Sequence, residues 1–165
     1  MIKVIEAEGA LLDQAEALVK RVFPHRDFAE RMSFWAYRRQ GNSLVQRGMR
    51  LFGVSKFLRY WVAVTDQGKV GGIVGLYTTP GTEHEAVWLS WFCVDPAQRG
   101  QGIGGQLIEF AIAQAKATGK KILRLYTSND PNEAAAQVLY EKYGFKITKE
   151  EKRFSYVTYY RTLPL

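Results

Sequence analysis

"WFCVDPAQRGQGIGG", residues 91–105, is the stretch on which the fold of this chain turns. Gly100, Gly102 and Gly105 fit the spacing G-x-G-x-x-G, in which a glycine turn lets backbone N–H groups approach a phosphate at a helix start. A dinucleotide fold places such a turn after its first strand, with a carboxylate about twenty residues further on. Here the turn follows the fourth strand, and Gly119, Lys120 and Lys121 stand where the acid is needed. No Gly-Lys-Ser/Thr sequence is present, which excludes an ATP-type phosphate loop. What survives is an anion site made of converging amides, the positive end of a helix and the cation Arg99. A pyrophosphate is its natural guest.

Outward from this turn the elements follow in order. The apolar run 86–94 reads as a strand buried on both faces, ended by Pro96. Ile103, Leu107, Phe110, Ala111 and Ala115 recur at helical spacing, and Gly119 suits the end of that helix. "KKILRLYTS" is a further strand. In "DPNEAAAQVLYEKYGF", Asp130 suits a cap, Pro131 a first helical position, Glu133 a capping box and Gly144 a helix end. Two strands, "FKITKE" and "FSYVTYYRTL", close the chain.

Upstream, "MIKVIEA" reads as a strand, and Leu11, Ala15, Leu18 and Val22 mark a helix interrupted at Pro24. Residues 28–57 read as an irregular helical region broken by Gly41, Gly48 and Gly53. "YWVAVTDQGKVGGIVGLYT" supplies two strands around Asp66-Gln67-Gly68. The order predicts an α/β (α+β) mixed sheet rather than an uninterrupted βαβ series.

The chain has 165 residues, 47% of them hydrophobic, enough for one sizeable core and one domain over 1–165. Its one cysteine, Cys93, cannot form an internal disulfide, and no Cys/His cluster suggests a metal. A cytoplasmic, reducing setting is expected. Early acidic residues and the lack of a long apolar run argue against a secretory signal or a membrane span. The net charge of +7 lies largely between Lys20 and Arg59, where arginines alternate with aromatics. A nucleic-acid surface can look like this, but a solvated face beside buried rings is the plainer reading, so nucleic acid is not the expected partner.

Val94-Asp95-Pro96 followed by Arg99-Gly100-Gln101-Gly102-Ile103-Gly104 closely resembles the acetyl-coenzyme A signature of the GNAT acetyltransferase superfamily. Ala136, Leu139-Tyr140-Glu141-Lys142 and Gly144-Phe145 resemble its later motif, about forty residues on. The resemblance implies a GNAT-like, mostly antiparallel central sheet of about seven strands flanked by helices on both faces. It further implies an N-acetyltransferase that moves an acetyl group from acetyl-CoA to an amine of a small molecule or protein by direct attack. The pyrophosphate would rest on the amides of Arg99, Gly100, Gln101, Gly102, Ile103, Gly104 and Gly105. The strand segment Phe92, Cys93, Val94 would pair with the pantetheine arm, and an amide near Val94 would polarise the thioester carbonyl. Tyr140 matches the family tyrosine near the sulfur and would act as general acid. The asparagine usual seven positions earlier is Glu133 here.

The base is less marked. Trp88 occupies the position of the strand glutamate found in histone-type members and cannot accept a proton. Glu85 is the candidate base, with Glu83 and His84 beside it, or Ser90 relaying through water. Cys93, inside an apolar strand, reads as a small hydrophobe rather than a nucleophile. Residues 28–57 and 154–160 would form the acceptor wall, whose basic character is expected to favour an anionic or neutral amine over a polycation. A homodimer is compatible with all of this. The alternative function is a non-catalytic acyl-CoA sensor or nucleic-acid-binding module.

Overall fold

The computed structural model describes residues 2–152 and 154–165. In chain order these form β1 (Lys3–Glu6), α1 (Gly9–Val22), α2 (Phe28–Arg38), α3 (Ser43–Leu51), β2 (Lys56–Val64), β3 (Val70–Thr78), β4 (Ala86–Val94), α4 (Ile103–Ala117), β5 (Ile122–Ser128), α5 (Ala134–Lys142), β6 (Lys146–Lys152) and β7 (Val157–Pro164). Short 3-10 turns at Pro96–Gln98 and Pro131–Glu133 precede α4 and α5. The seven strands form one sheet in the order β1-β2-β3-β4-β5-β7-β6. Every neighbouring pair is antiparallel except β4 and β5.

Side-chain alternation sorts the strands onto two faces. In β2, Trp61 and Ala63 enter the core shared with α4 and α5, while Tyr60 and Val62 enter the one shared with α1, α2 and α3. The first core is filled from α4 by Ile103, Leu107, Ile108, Ala111 and Ala115, and each fully buried leucine or isoleucine there stabilises the fold by ~1.5–3 kcal/mol. The second core takes Leu12, Ala15, Leu18 and Val19 from α1 and Phe34 from α2.

The first helical region differs from its sequence reading. It ends at Leu51, and Lys56 and Phe57 already belong to β2. Gly48 lies inside α3, because Asn42 caps that helix by accepting from the amides of Leu44 (2.9 Å) and Val45 (3.3 Å) and so fixes its start upstream. Before α5, Asp130 caps the 3-10 turn by accepting from the Asn132 amide at 2.8 Å. Glu133 does not close a capping box; it reaches back to the end of β5. The strand expected to be buried on both faces is only partly buried at Trp88, Ser90, Trp91 and Phe92, because it borders a cleft.

Candidate active site

The cleft originates in one local failure of pairing. β4 and β5 pair at Ala86 with Ile122, Val87 with Leu123 and Trp88 with Arg124, and then part, although the strands run on to Val94 and Ser128. On the other side β4 continues to pair with β3, but through a bulge: Ser90 faces Gly75 and Cys93 faces Ile73, so Trp91 and Phe92 together oppose Val74. Trp91 adopts φ 39, the single positive φ of a non-glycine residue among the described residues. Such a conformation is costly for a bulky side chain and persists only where packing dictates it. The Trp91 indole donates to Ser33 Oγ at 2.8 Å and lies against Phe23 and Phe34. The bulge reverses the alternation of β4: Val87 and Leu89 face α4 before it, whereas Trp91 and Cys93 face α1 after it.

The glycine turn sits at the open end of this fork. Gly100 and Gly102 both have φ 78, and Gly102 starts α4 in the left-handed conformation. Among the described residues, the amides from 100 to 105 donate to no other protein group, and the first helical bond across the turn runs from Gln106 to the Gly102 carbonyl. Six successive free donors at the positive end of a fifteen-residue helix suit a pyrophosphate. Arg99 is exposed beside them. Asp95, just before, accepts from the Ala97 amide at 3.0 Å and from Arg21 at 2.5 Å, which fixes the exit of β4.

Tyr140 on α5 faces this fork. Its ring lies 5.5 Å from that of Phe92 and 5.7 Å from that of Phe145. Burial pushes its hydroxyl above the ordinary tyrosine range, and the hydroxyl has no hydrogen-bond partner among the described residues. Glu133 accepts from the Thr127 hydroxyl and from the Ser128 amide, the latter at 2.6 Å, and thereby closes the end of β5. Cys93 is buried, and desolvation pushes its thiol up to about 12, so it is no nucleophile at neutral pH.

The base candidates on the approach to β4 are not brought to Tyr140. Glu85 is exposed at the start of β4, seven residues from Phe92 and so roughly 23 Å away along the strand. Its backbone carbonyl is used to receive the amides of Lys121 and Ile122. His84 is exposed, and Glu83 is held at about 2 by the Ser55 hydroxyl and Arg50. Ser90 lies in the cleft, 3.5 Å from the Tyr60 hydroxyl.

A half-buried carboxylate on the α2 side of the sheet is Glu30, in the first turn of α2. Glu30 and Asp27 form a capping box, with the Glu30 amide donating to Asp27 Oδ1 at 2.8 Å and the Asp27 amide to Glu30 Oε2 at 2.9 Å. One turn later Ser33 receives Trp91, so Glu30 lies one helical turn from the contact that anchors the bulge. Burial raises the Glu30 carboxyl above its ordinary range, and the charges of Asp27 and Glu133 raise it further, against the Asp27 amide and Arg26. Glu133 senses it from the far side of the cleft, where β5 ends. The sequence signal was Asp27-Phe28-Ala29-Glu30, a capping-box spacing that marks a helix start and says nothing of the strands beneath it.

Aromatic rings from four adjacent strands form the floor of the cleft. Trp88 lies 6.3 Å from Tyr77 and 6.5 Å from Tyr160, and Tyr160 lies 6.3 Å from Tyr126. Tyr126 is 50% exposed, yet burial pushes its hydroxyl above the ordinary range. Three arginines of the basic segment are ion-paired: Arg38 with Asp13 and Glu16, Arg50 with Glu83, and Arg59 with Glu6.

Among the described residues no group of three or more His, Cys, Asp or Glu is arranged to hold a metal, and no helix is long and apolar enough to cross a membrane.

A mixed sheet that forks between its one parallel pair, with a glycine turn at the fork and a tyrosine facing it, defines an acetyltransferase-type fold. The GNAT acetyltransferase domain model matches residues 56–147, more than half of the chain, and the chain belongs to that family. It is 36% identical to peptidyl-lysine N-acetyltransferase YjaB of Salmonella typhimurium over 88 residues, 53% of this chain and 50% of that protein. The chain spans about half the length of the curated relatives it matches. In fold it is similar to the ribosomal-protein-S18-alanine N-acetyltransferase of Escherichia coli, with a TM-score of 0.72 at 19% identity over 99% of this chain and 94% of that one. The yncA protein of Salmonella typhimurium, solved with its cofactor acetyl-CoA, is similar with a TM-score of 0.71 at 19% identity, over 99% of this chain and 94% of the other.

Proposed function

We propose that the protein is an N-acetyltransferase that moves the acetyl group of acetyl-CoA to an amine by direct attack on the thioester. The observation that carries this reading is the run of unpartnered amides from 100 to 105 at the foot of an open strand edge. Gly100, Gln101, Gly102, Ile103, Gly104 and Gly105, with Arg99, would bind the pyrophosphate. Phe92, Cys93 and Val94 would offer backbone groups to the pantetheine arm, whose amides match an unpaired β-edge. An amide at the end of the bulge would polarise the thioester carbonyl, an effect worth ~2.7–4 kcal/mol where the donor is well aimed.

Tyr140 would supply a proton to the departing sulfur. Its raised range keeps it protonated at neutral pH but makes it a weak acid alone. It therefore serves best as a relay, replacing its proton with one from the acceptor nitrogen. The acceptor would be a primary amine of a small molecule or a protein; the matched peptidyl-lysine acetyltransferase supports a protein lysine as the first one to try. The protein is proposed to act in the cytoplasm, where its one thiol stays reduced. A homodimer is proposed as well, supported by an apolar groove of about 340 Å³ between α2 and α3, lined by Phe28, Met32, Trp35, Leu44 and Phe52.

Calorimetric titration with acetyl-CoA tests the reading. The wild type should bind it, and Gly102→Glu should weaken binding at least tenfold, because it places a side chain at φ 78 and a negative charge among the donors. Absence of binding by the wild type, or equal binding by the variant, would overturn it.

A further inference from the structure

The part of the site that no sequence motif marks is the side of the fork from which the acceptor must come. The thioester's two flanks differ there. Tyr140 and Phe92 belong to the core under α4 and α5, on one face of the sheet. Trp91, Tyr60 and Ser33 lie on the other, and α2 stands above them. Glu30 lies on the α2 face that also carries the buried Ser33 and Phe34, three and four residues on, and so faces that second side; its charge acts on Tyr126 and Tyr77 of the sheet. A capping box and the Ser33 hydroxyl, which donates to the Glu30 carbonyl at 2.8 Å, fix the turn that carries it. The capping bond engages Oε2, and no hydrogen bond among the described residues engages Oε1.

We propose that Glu30 is the general base of the reaction, taking a proton from the acceptor ammonium over the β4 bulge. This rests on the acetyltransferase reading given above. The ammonium transfers one proton to the Glu30 carboxylate, leaving a neutral amine and a carboxylic acid. The nitrogen lone pair forms the C–N bond to the thioester carbonyl carbon, and the C–S bond breaks with its electron pair going to sulfur. A second nitrogen proton reaches the sulfur through Tyr140, the third stays on the amide, and Glu30 returns its proton to solvent. No oxidant or metal is required.

The neighbourhood suits this role. The ammonium would lie by Tyr77 and Tyr126, whose rings attract a cation, because Arg124 already covers Trp88 at 5.9 Å and Lys149 covers Tyr160 at 5.3 Å. Asp27 from the same helix turn and Glu133 from the loop after β5 add negative charge, while Arg26 beside them and Arg124 and Lys149 on the floor rings offset part of it. A partly desolvated carboxylate held above its ordinary range is a better proton acceptor near neutral pH than an exposed one. Glu85, exposed at the far end of β4, has none of these features. The acceptor class follows: an amine that is cationic before reaction and not flanked by a carboxylate.

S-(2-aminoethyl)-coenzyme A and S-propyl-coenzyme A separate this proposal from the acetyltransferase reading without needing the natural acceptor. They have similar shape, and the first carries an ammonium close to where the acceptor nitrogen would sit. The wild type should prefer the aminoethyl compound by roughly tenfold or more, the value of one charge-assisted hydrogen bond. Glu30→Gln should lose that preference and keep its affinity for the propyl compound, since glutamine also closes a capping box and preserves α2. The preference should fade as the pH falls through the raised range of Glu30. Equal affinities in the wild type, or a preference that survives in Glu30→Gln, would overturn the base assignment alone. Failure to bind either compound would overturn the acetyltransferase reading and this assignment with it.

Discussion

Trp91 Nε1 donates a hydrogen bond to Ser33 Oγ at 2.8 Å, joining the bulge of β4 to α2 across 58 positions of sequence. This bond couples the two halves of the site, the strand that would hold the thioester and the helix that carries Glu30. Ser33→Ala should destabilise the fold by ~1 kcal/mol, because it leaves a part-buried N–H without its acceptor. It should also weaken acetyl-CoA binding as the strained backbone at Trp91 relaxes. Urea unfolding followed at one probe checks the first effect through the midpoint at constant slope; a loss below ~0.5 kcal/mol would refute it.

Tyr140→Phe should leave stability nearly unchanged, since the hydroxyl has no partner among the described residues to lose. On the proposed mechanism it should lower kcat by ~10²–10⁴ and leave acetyl-CoA affinity intact. Steady-state kinetics beside calorimetry separates these effects. A drop in affinity with unchanged kcat would make Tyr140 a packing residue.

Cys93 should be inert in the folded protein. Its thiol is pushed up to about 12 from an ordinary value of 9.0, so almost no thiolate exists at pH 8. A disulfide reagent should fail to label it until urea is added. The sign for stability follows: the contribution is fully present below about 9 and is lost as the pH rises through about 12. Cys93→Ser should flatten that alkaline fall; labelling of the folded wild type at pH 8 would contradict the account.

Arg161 on β7 is 2% exposed and donates to Glu141 at 3.0 Å and to Gln137 at 3.3 Å, both on α5. Its Nε has no partner among the described residues. Glu141→Ala should cost ~1–3 kcal/mol by leaving a buried guanidinium without its counter-charge. Arg161→Met should cost less, because it removes the buried charge and keeps much of the volume. Chemical denaturation of both variants decides; the reverse order would mean that packing by the arginine stem outweighs the ion pair.

Short-range signals made much of this protein legible. The glycine turn before α4 could be read because a φ of 78 at Gly100 and Gly102 is a demand that nearly always selects glycine. The strand 86–94 showed as an apolar run, and Gly119 and Gly144, both at positive φ, marked helix ends. The break within 28–57 was blurred because Gly48 is tolerated inside α3 and the residues that open β2, Lys56 and Phe57, carry no alternation of their own.

What the chain determined by itself were features each residue settles with neighbours a few positions away: turns, caps, helix faces and the order of strands. The fork between β4 and β5, the bulge at Trp91 and the docking of α2 against it arose only in the tertiary structure. They depend on Phe23, Ser33 and Phe34 meeting Trp91, and on α2 being carried across the sheet by the packing of its opposite face. A tryptophan at positive φ obeys no local preference. It is held there by contacts that sequence spacing does not encode, and those contacts join α2, with Glu30 in its first turn, to the strand at the fork.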